Sequence, residues 1–173
     1  SPSNYNAYDT AGELCYSSST QPSSYIAQAS CGGSSAPTYP SGATNTYSYN
    51  QAGGRICTTR PNSSGATCAN PNPTYATTYG YDAVGNMDCI TPANMLGASC
   101  ANPDSTASYS YTYNAAGLRM SETPPGGTTQ QFVWNSLSTQ LLEDGSNAYI
   151  YGPAGTPLGT APLEQISLPV PLS

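Results

Sequence analysis

Aromatic and polar residues alternate in short segments along this chain of 173 residues. Pairs such as Tyr47 with Tyr49, and Tyr79 with Tyr81, are two residues apart. In an extended strand this spacing puts both rings on one face, because successive side chains point to opposite faces. Segments rich in Gly, Pro, Asn and Ser separate the pairs and indicate turns. The pattern therefore predicts an all-β chain of antiparallel hairpins.

A five-residue motif, Y-[DN]-x-x-G, ends most of these aromatic segments. Asp or Asn bonds to the backbone two residues on and Gly adopts a positive φ, so the motif predicts a hairpin turn. Residues 65–71 and 97–103 are nearly identical and lie 32 residues apart, which indicates a true repeat. Clear copies begin at Tyr8, Tyr49, Tyr81 and Tyr113, and degenerate copies begin at Trp134 and Tyr151.

The series of motifs resembles the Rhs/YD-repeat family of secreted or cell-surface bacterial proteins. The segments YIYGP at 149–153 and PLEQI at 162–166 strengthen the resemblance, which covers nearly the whole chain. It implies a sheet of hairpins that winds as a spiral or solenoid and serves as a hollow shell or an extended wall. The chain departs from the family in having no Asp-Pro dipeptide for an autoproteolytic site. We expect one YD-repeat domain over 1–160 and an apolar C-terminal strand or tail over 161–173.

The six cysteines lack a C-x-x-C pair and the chain has no His, which favours disulfides over a zinc site. From Tyr49 to Tyr81 and from Tyr81 to Tyr113, where two cysteines intervene, the motifs lie 32 residues apart, but only 21 residues separate Tyr113 from Trp134, where both cysteines are absent. An 11-residue insertion closed by a disulfide explains the difference. Such loops are expected to project from the bases of hairpins; free buried cysteines are the alternative. The predicted pairs are Cys57 with Cys68 and Cys89 with Cys100, and Cys15 with Cys31 as a longer, less regular version.

Charge and residue types exclude several functions. Three basic residues against nine carboxylates give a net charge of −6, so nucleic acid is not expected as a partner. No apolar run approaches the roughly 20 residues that span a bilayer, so membrane insertion is not expected either. Disulfides indicate an oxidising compartment, and we expect a secreted or cell-surface protein.

The chain contains no His and no Lys, so the usual general bases, Schiff-base amines and Ser-His or Cys-His pairs are missing. Glu143 and Asp144 could serve a glycosidase only if both faced one cleft, and their sequence indicates a polar turn instead. We therefore expect no enzyme, no cofactor and no metal site.

Two functional classes remain, with a hydrolase a distant third. The first is a structural protein of a shell wall or surface fibre, associating with itself or with neighbouring parts of a larger repeat protein. The second is an adhesin module that stacks glycans on aromatic faces, with Trp134, Tyr111 and Tyr113 as candidates; core packing is the competing interpretation. Asn62 begins an N-x-[ST] sequon and is a candidate glycosylation site.

Overall fold

The structure is a computed structural model that describes residues 4–22, 25, 28–33, 36–40, 43–62 and 64–163. These residues form thirteen β-strands and one 3-10 turn at Pro153–Gly155, with every named strand pairing antiparallel. The prediction of an all-β, antiparallel chain is confirmed. The chain divides into two compact units, Ser1–Tyr109 and Ser110–Ser173, which are described separately.

The first unit is a sheet whose strands pair in sequence order. Each strand is antiparallel to the next, so the sheet is a series of hairpins and returns. The strands are β1 (Tyr5–Tyr8), β2 (Leu14–Ser18), β3 (Asn45–Tyr49), β4 (Arg55–Thr59), β5 (Ala76–Tyr81) and β6 (Met87–Thr91).

The second unit follows the same order of pairing. Strand β7 (Tyr109–Tyr113) begins at the boundary and pairs with β8 (Arg119–Thr123), which pairs with β9 (Gln130–Gln131). A separate four-stranded sheet contains β10 (Val133–Trp134), β11 (Leu141–Glu143), β12 (Asn147–Tyr151) and β13 (Pro157–Pro162). The predicted C-terminal tail lies outside the described residues from position 164 onward, whereas 161 and 162 belong to β13. Across the described ranges, no helix has the length and apolar character needed to cross a membrane.

Each clear motif copy forms the same turn. In the third copy, the Asp82 carboxylate accepts hydrogen bonds from the backbone N–H groups of Val84 (3.0 Å) and Asn86 (2.8 Å). Gly85 has a φ of 93°, which disfavours any side chain. The ladder shifts by one residue beside the motif tyrosine, between Gly80 and Tyr81. The predicted turn chemistry is therefore present, and equivalent acceptor bonds occur at Asp9, Asn50 and Asn114.

The degenerate copy at Trp134 closes a longer turn. The Asn135 N–H donates to the Gln140 carbonyl at 2.8 Å, one residue further along than in the clear copies. The positive φ falls on Thr139, at 54°, instead of on a glycine. A β-branched residue is strained in that conformation, so this turn is less favourable than the clear copies.

The three disulfides join the pairs that the repeat spacing predicts, with Cα–Cα distances of 5.3 Å for Cys15–Cys31 and 5.8 Å for both Cys57–Cys68 and Cys89–Cys100. Each of the two 11-residue loops returns to the sheet at its second cysteine. The Cys68 N–H donates to the Thr46 hydroxyl at 2.9 Å, which brings the loop back over β3. In the next copy the Cys100 N–H donates to the Thr78 hydroxyl at 2.8 Å. In both copies a threonine hydroxyl of the sheet thus anchors the end of the loop.

The buried interior is unusual in having no large aliphatic side chain among the described residues. It consists mainly of Ala, Cys, Ser and Thr, with Tyr16 as its one fully buried aromatic. The hydroxyls of Thr46 and Thr59 are buried and lie 2.7 Å apart in a mutual hydrogen bond. Small side chains of this kind let a loop approach the sheet closely, and paired hydroxyls remove the cost of burying them.

Candidate functional site

The candidate glycan-stacking residues lie in the second unit, where a groove of about 390 Å³ opens beside strands β8 and β10. The structure brings Trp134 and Tyr113 to this groove. Tyr111 is not among its lining residues, and the Arg119 guanidinium carbon lies 4.5 Å from the centre of the Tyr111 ring. The groove is lined by Tyr113, Gly117, Leu118, Arg119, Phe132, Trp134 and Leu141.

The polar groups of this groove are bound to the protein itself. The Trp134 indole N–H, the only donor on that ring, donates to the Arg119 carbonyl at 2.7 Å. The Arg119 guanidinium also forms an ion pair with Glu122 at 3.0 Å. A sugar would need such groups to fix its orientation, so the groove offers it mainly apolar contact.

The Trp134 hydrogen bond belongs to a series that recurs along the chain. The aromatic residue that begins a motif donates to the backbone carbonyl of the first residue in the second strand of the preceding hairpin. We call these residues the motif aromatics. The bonds are Tyr49 to Leu14 (3.1 Å), Tyr81 to Arg55 (3.0 Å), Trp134 to Arg119 (2.7 Å) and Tyr151 to Leu141 (2.9 Å).

This role was not predicted, although the sequence contains a signal for it. Every motif copy begins with Tyr or Trp, the two aromatics whose rings carry a strong hydrogen-bond donor. The single phenylalanine, Phe132, stands instead at the upstream position of an aromatic pair. The donor, not the ring alone, is therefore what the first motif position requires.

All three arginines of the chain lie against tyrosine rings. Distances from the guanidinium carbon to the ring centre are 5.6 Å for Arg55 over Tyr79, 5.8 Å for Arg60 over Tyr75 and 4.5 Å for Arg119 over Tyr111. Contacts of this length are favourable cation–π interactions. The three arginine side chains thus pack against tyrosines of the sheet and of a segment that flanks it.

The neighbouring carboxylates Glu143 and Asp144 stand where β11 meets the turn to β12. Asp144 accepts hydrogen bonds from the Tyr149 hydroxyl at 2.5 Å and from the Ser146 N–H at 3.0 Å. The Tyr149 bond, with further bonds from the Asn147 and Ser146 backbone, lowers the pKa of Asp144 to about 2. A carboxylate held ionised in a turn is suited to fixing the loop and unsuited to general acid catalysis.

A second carboxylate pair, Asp9 and Glu13, lies in the first motif copy. Burial, and then the hydrogen bond and negative charge of Asp9, raise the pKa of Glu13. An Asp9 oxygen and the Cys15 and Cys31 sulfurs lie within 4.8 Å of one another. Both sulfurs are in a disulfide, however, so neither is a thiolate ligand for a metal.

Asn62, the candidate glycosylation site, organises its own loop. Its side-chain amide donates to the Arg60 and Ala66 carbonyls, both at 3.0 Å. Asn94 makes the equivalent bonds in the next copy, at 2.9 and 3.0 Å, although no sequon begins there. A loop-forming role accounts for both residues. Glycosylation of Asn62 stays a prediction, and an attached glycan would replace one of these N–H donors.

No protein-family model matches the chain, and no curated protein matches it significantly. Membership of the Rhs/YD-repeat family accordingly stays a prediction that depends on the motifs themselves.

Proposed function

We propose that this chain is a non-enzymatic, extracellular structural protein that forms a section of a shell or wall. The observation that carries the proposal is the series of motif aromatics, each of which bonds a hairpin to the backbone of the hairpin before it. In four of the six copies these side chains supply what a wall needs, because they fix the spacing and register of successive hairpins.

The remaining chemistry of the chain supports the same function. Its cations lie against tyrosine rings, and its motif Asp and Asn side chains accept turn hydrogen bonds. Three disulfides fit a protein of an oxidising, extracellular compartment, where they stabilise a chain with few large apolar residues. A YD-type spiral formed by further hairpins of the same kind is the architecture that we propose for the complete wall.

A wall section is favoured over a fibre formed by pairing of open sheet edges. The outer edge of β1 is already covered, since the Tyr8 carbonyl accepts a hydrogen bond from the Ala29 N–H at 3.0 Å. A fibre that grows by edge pairing needs both ends of the sheet to be open.

The proposal is tested by comparing two tyrosines of strand β3. Tyr49→Phe removes the hydroxyl that bonds Leu14, whereas Tyr47→Phe removes a hydroxyl with no hydrogen-bond partner among the described residues. We expect Tyr49→Phe to lower the free energy of unfolding by about 1 kcal/mol and Tyr47→Phe to leave it nearly unchanged. In single-molecule pulling, Tyr49→Phe should unfold at lower force. If both variants have the same free energy of unfolding and unfold at the same force, the Tyr49 hydroxyl does not join the hairpins.

Glycan binding is the second candidate function, because Tyr113, Phe132 and Trp134 line one groove. Phe132 makes no ring hydrogen bond, so Phe132→Ala perturbs the groove without removing a motif aromatic. Binding on a glycan array that is lost in Phe132→Ala would favour the adhesin. Absence of binding by the unmodified chain would leave the wall as the better account.

A further inference from the structure

The outer edge of strand β1 is covered by three residues from the loop that Cys15–Cys31 closes. The Tyr25 hydroxyl donates to the Asn6 carbonyl at 3.1 Å, and the Ala29 N–H donates to the Tyr8 carbonyl at 3.0 Å. Asn6 and Tyr8 are two residues apart, so both carbonyls face the edge opposite β2. Gln28 forms a parallel bridge with Tyr8. We call Tyr25, Gln28 and Ala29 the edge cover.

Covalent and aromatic contacts hold the edge cover in place. The Cys15–Cys31 disulfide links β2 to a residue two positions after Ala29. The Tyr25 ring lies edge-on to the rings of Tyr5 and Tyr16, with centroid distances of 5.7 and 6.4 Å. Contacts of this geometry are favourable, and Tyr16 is fully buried. The cover is therefore tied to the first hairpin at two independent points.

Strand β13, in the second unit, is the last strand of its sheet and contrasts with β1. It pairs with β12 on one side, and no described residue pairs with its other side. Its residues 157–160 are exposed, and the strand contains no charged residue. Native proteins usually protect such an edge with charge, with proline or with a covering segment, because its unpaired N–H and C=O groups can bind any extended strand. The prolines of β13 stand only at its two ends, Pro157 and Pro162, so residues 158–161 keep their N–H groups.

We propose that the edge cover keeps the chain from assembling, by preventing β1 from pairing with the exposed β13 of a second copy. Both strands are uncharged, so no like charges oppose their contact, and each would supply the backbone partners that the other lacks. The inference concerns one sheet edge and does not depend on the wall function proposed above.

The test compares two ways of loosening the cover with a matched disulfide variant. Cys15→Ser/Cys31→Ser removes the covalent tie, and Tyr25→Ala removes the ring and hydroxyl contacts but leaves the disulfide. The control is Cys57→Ser/Cys68→Ser, which removes a similar disulfide away from β1. Sedimentation velocity over a concentration series measures assembly. Amide exchange at Ala29 shows whether the cover has come away.

We expect the unmodified chain and the control to sediment as monomers. Both edge variants should form oligomers that increase with concentration, together with faster exchange at Ala29. Adding Gly159→Lys should reverse the assembly, since a side chain at Gly159 meets open space and its charge would lie on the β13 edge. The proposal is overturned if the Ala29 amide exchanges freely in the two edge variants while they stay monomeric. It is also overturned if the Ala29 amide stays protected in both edge variants. Equal assembly of the control, or assembly that Gly159→Lys leaves unchanged, would also overturn it.

Discussion

The two units are made from the same hairpin motif but differ in how they are stabilised. The first contains all three disulfides and nearly all of the buried residues, whereas Ser121 is the one buried residue among those described in the second. Ser121 stands 32 residues after Cys89, where a disulfide would otherwise begin. It bonds instead to the Thr112 hydroxyl at 2.7 Å. The comparison indicates that residues of the sheet become buried where disulfide-closed loops are present.

The largest expected effect comes from removing one of these loops' disulfides. Cys57→Ser/Cys68→Ser should destabilise the first unit by about 3 kcal/mol in the chain-entropy model. The second unit should be unaffected, because it contains no cysteine. Hydrogen exchange followed by peptide across a urea series separates the two units. Equal loss of protection in both units would show that the disulfide does not stabilise the first unit alone.

A smaller loss is expected where a loop amide meets the sheet. Thr78→Val leaves the Cys100 N–H without its acceptor and should cost about 2 kcal/mol. Its neighbour offers a matched control, since Thr77 makes no side-chain hydrogen bond within the described part of the chain. Thr77→Val should change the free energy of unfolding by much less. Urea unfolding of the two variants decides whether the hydroxyl anchors the loop.

The second unit should gain stability from relief of its strained turn. Thr139→Gly removes a β-branched side chain from a positive φ and should stabilise by about 1 kcal/mol. Ser138→Gly changes the preceding residue, which has no positive φ, and should not stabilise. A thermal melt of each variant measures the effect, and an equal rise in both midpoints would argue against strain at Thr139.

The smallest effects concern pH, and they have opposite signs in the two units. The hydrogen bond from Tyr149 lowers the pKa of Asp144 to about 2. The contribution of Asp144 to the free energy of unfolding is therefore complete above the ordinary pKa of 3.8 and is lost as the pH falls toward 2. Burial raises the pKa of Glu13, whose contribution is therefore largest below its ordinary value of 4.5 and is lost as the pH rises. In Asp144→Asn the free energy of unfolding should no longer fall as the pH drops toward 2. In Glu13→Gln it should no longer fall as the pH rises above 4.5. Urea unfolding curves over this pH range measure both effects. If a variant shows the same pH dependence as the original chain, the assignment to that carboxylate is incorrect.

Local features of the fold were predictable because they depend on neighbouring residues. The motif Asp, Asn and Gly residues specify their turns, and the difference between spacings of 32 and 21 identifies two of the three disulfide pairs. Contacts between distant segments were not predictable. The hydrogen bond from Cys68 to Thr46 recurs in the next copy, but the repeat alone does not show which hydroxyl accepts from a loop amide. The Tyr25 contact with Asn6 belongs to the less regular first copy. The motif aromatics lie between these cases, since their donor is visible in the sequence but its acceptor is not.

Trp134→Phe tests whether a motif aromatic joins hairpins, as we propose, or binds a ligand. The substitution keeps an aromatic ring in the groove but removes the indole N–H that bonds Arg119. Urea unfolding followed by circular dichroism should show a loss of at least about 1 kcal/mol. If Trp134→Phe is as stable as the original chain but loses a glycan that the original chain binds, Trp134 serves ligand binding and does not join hairpins.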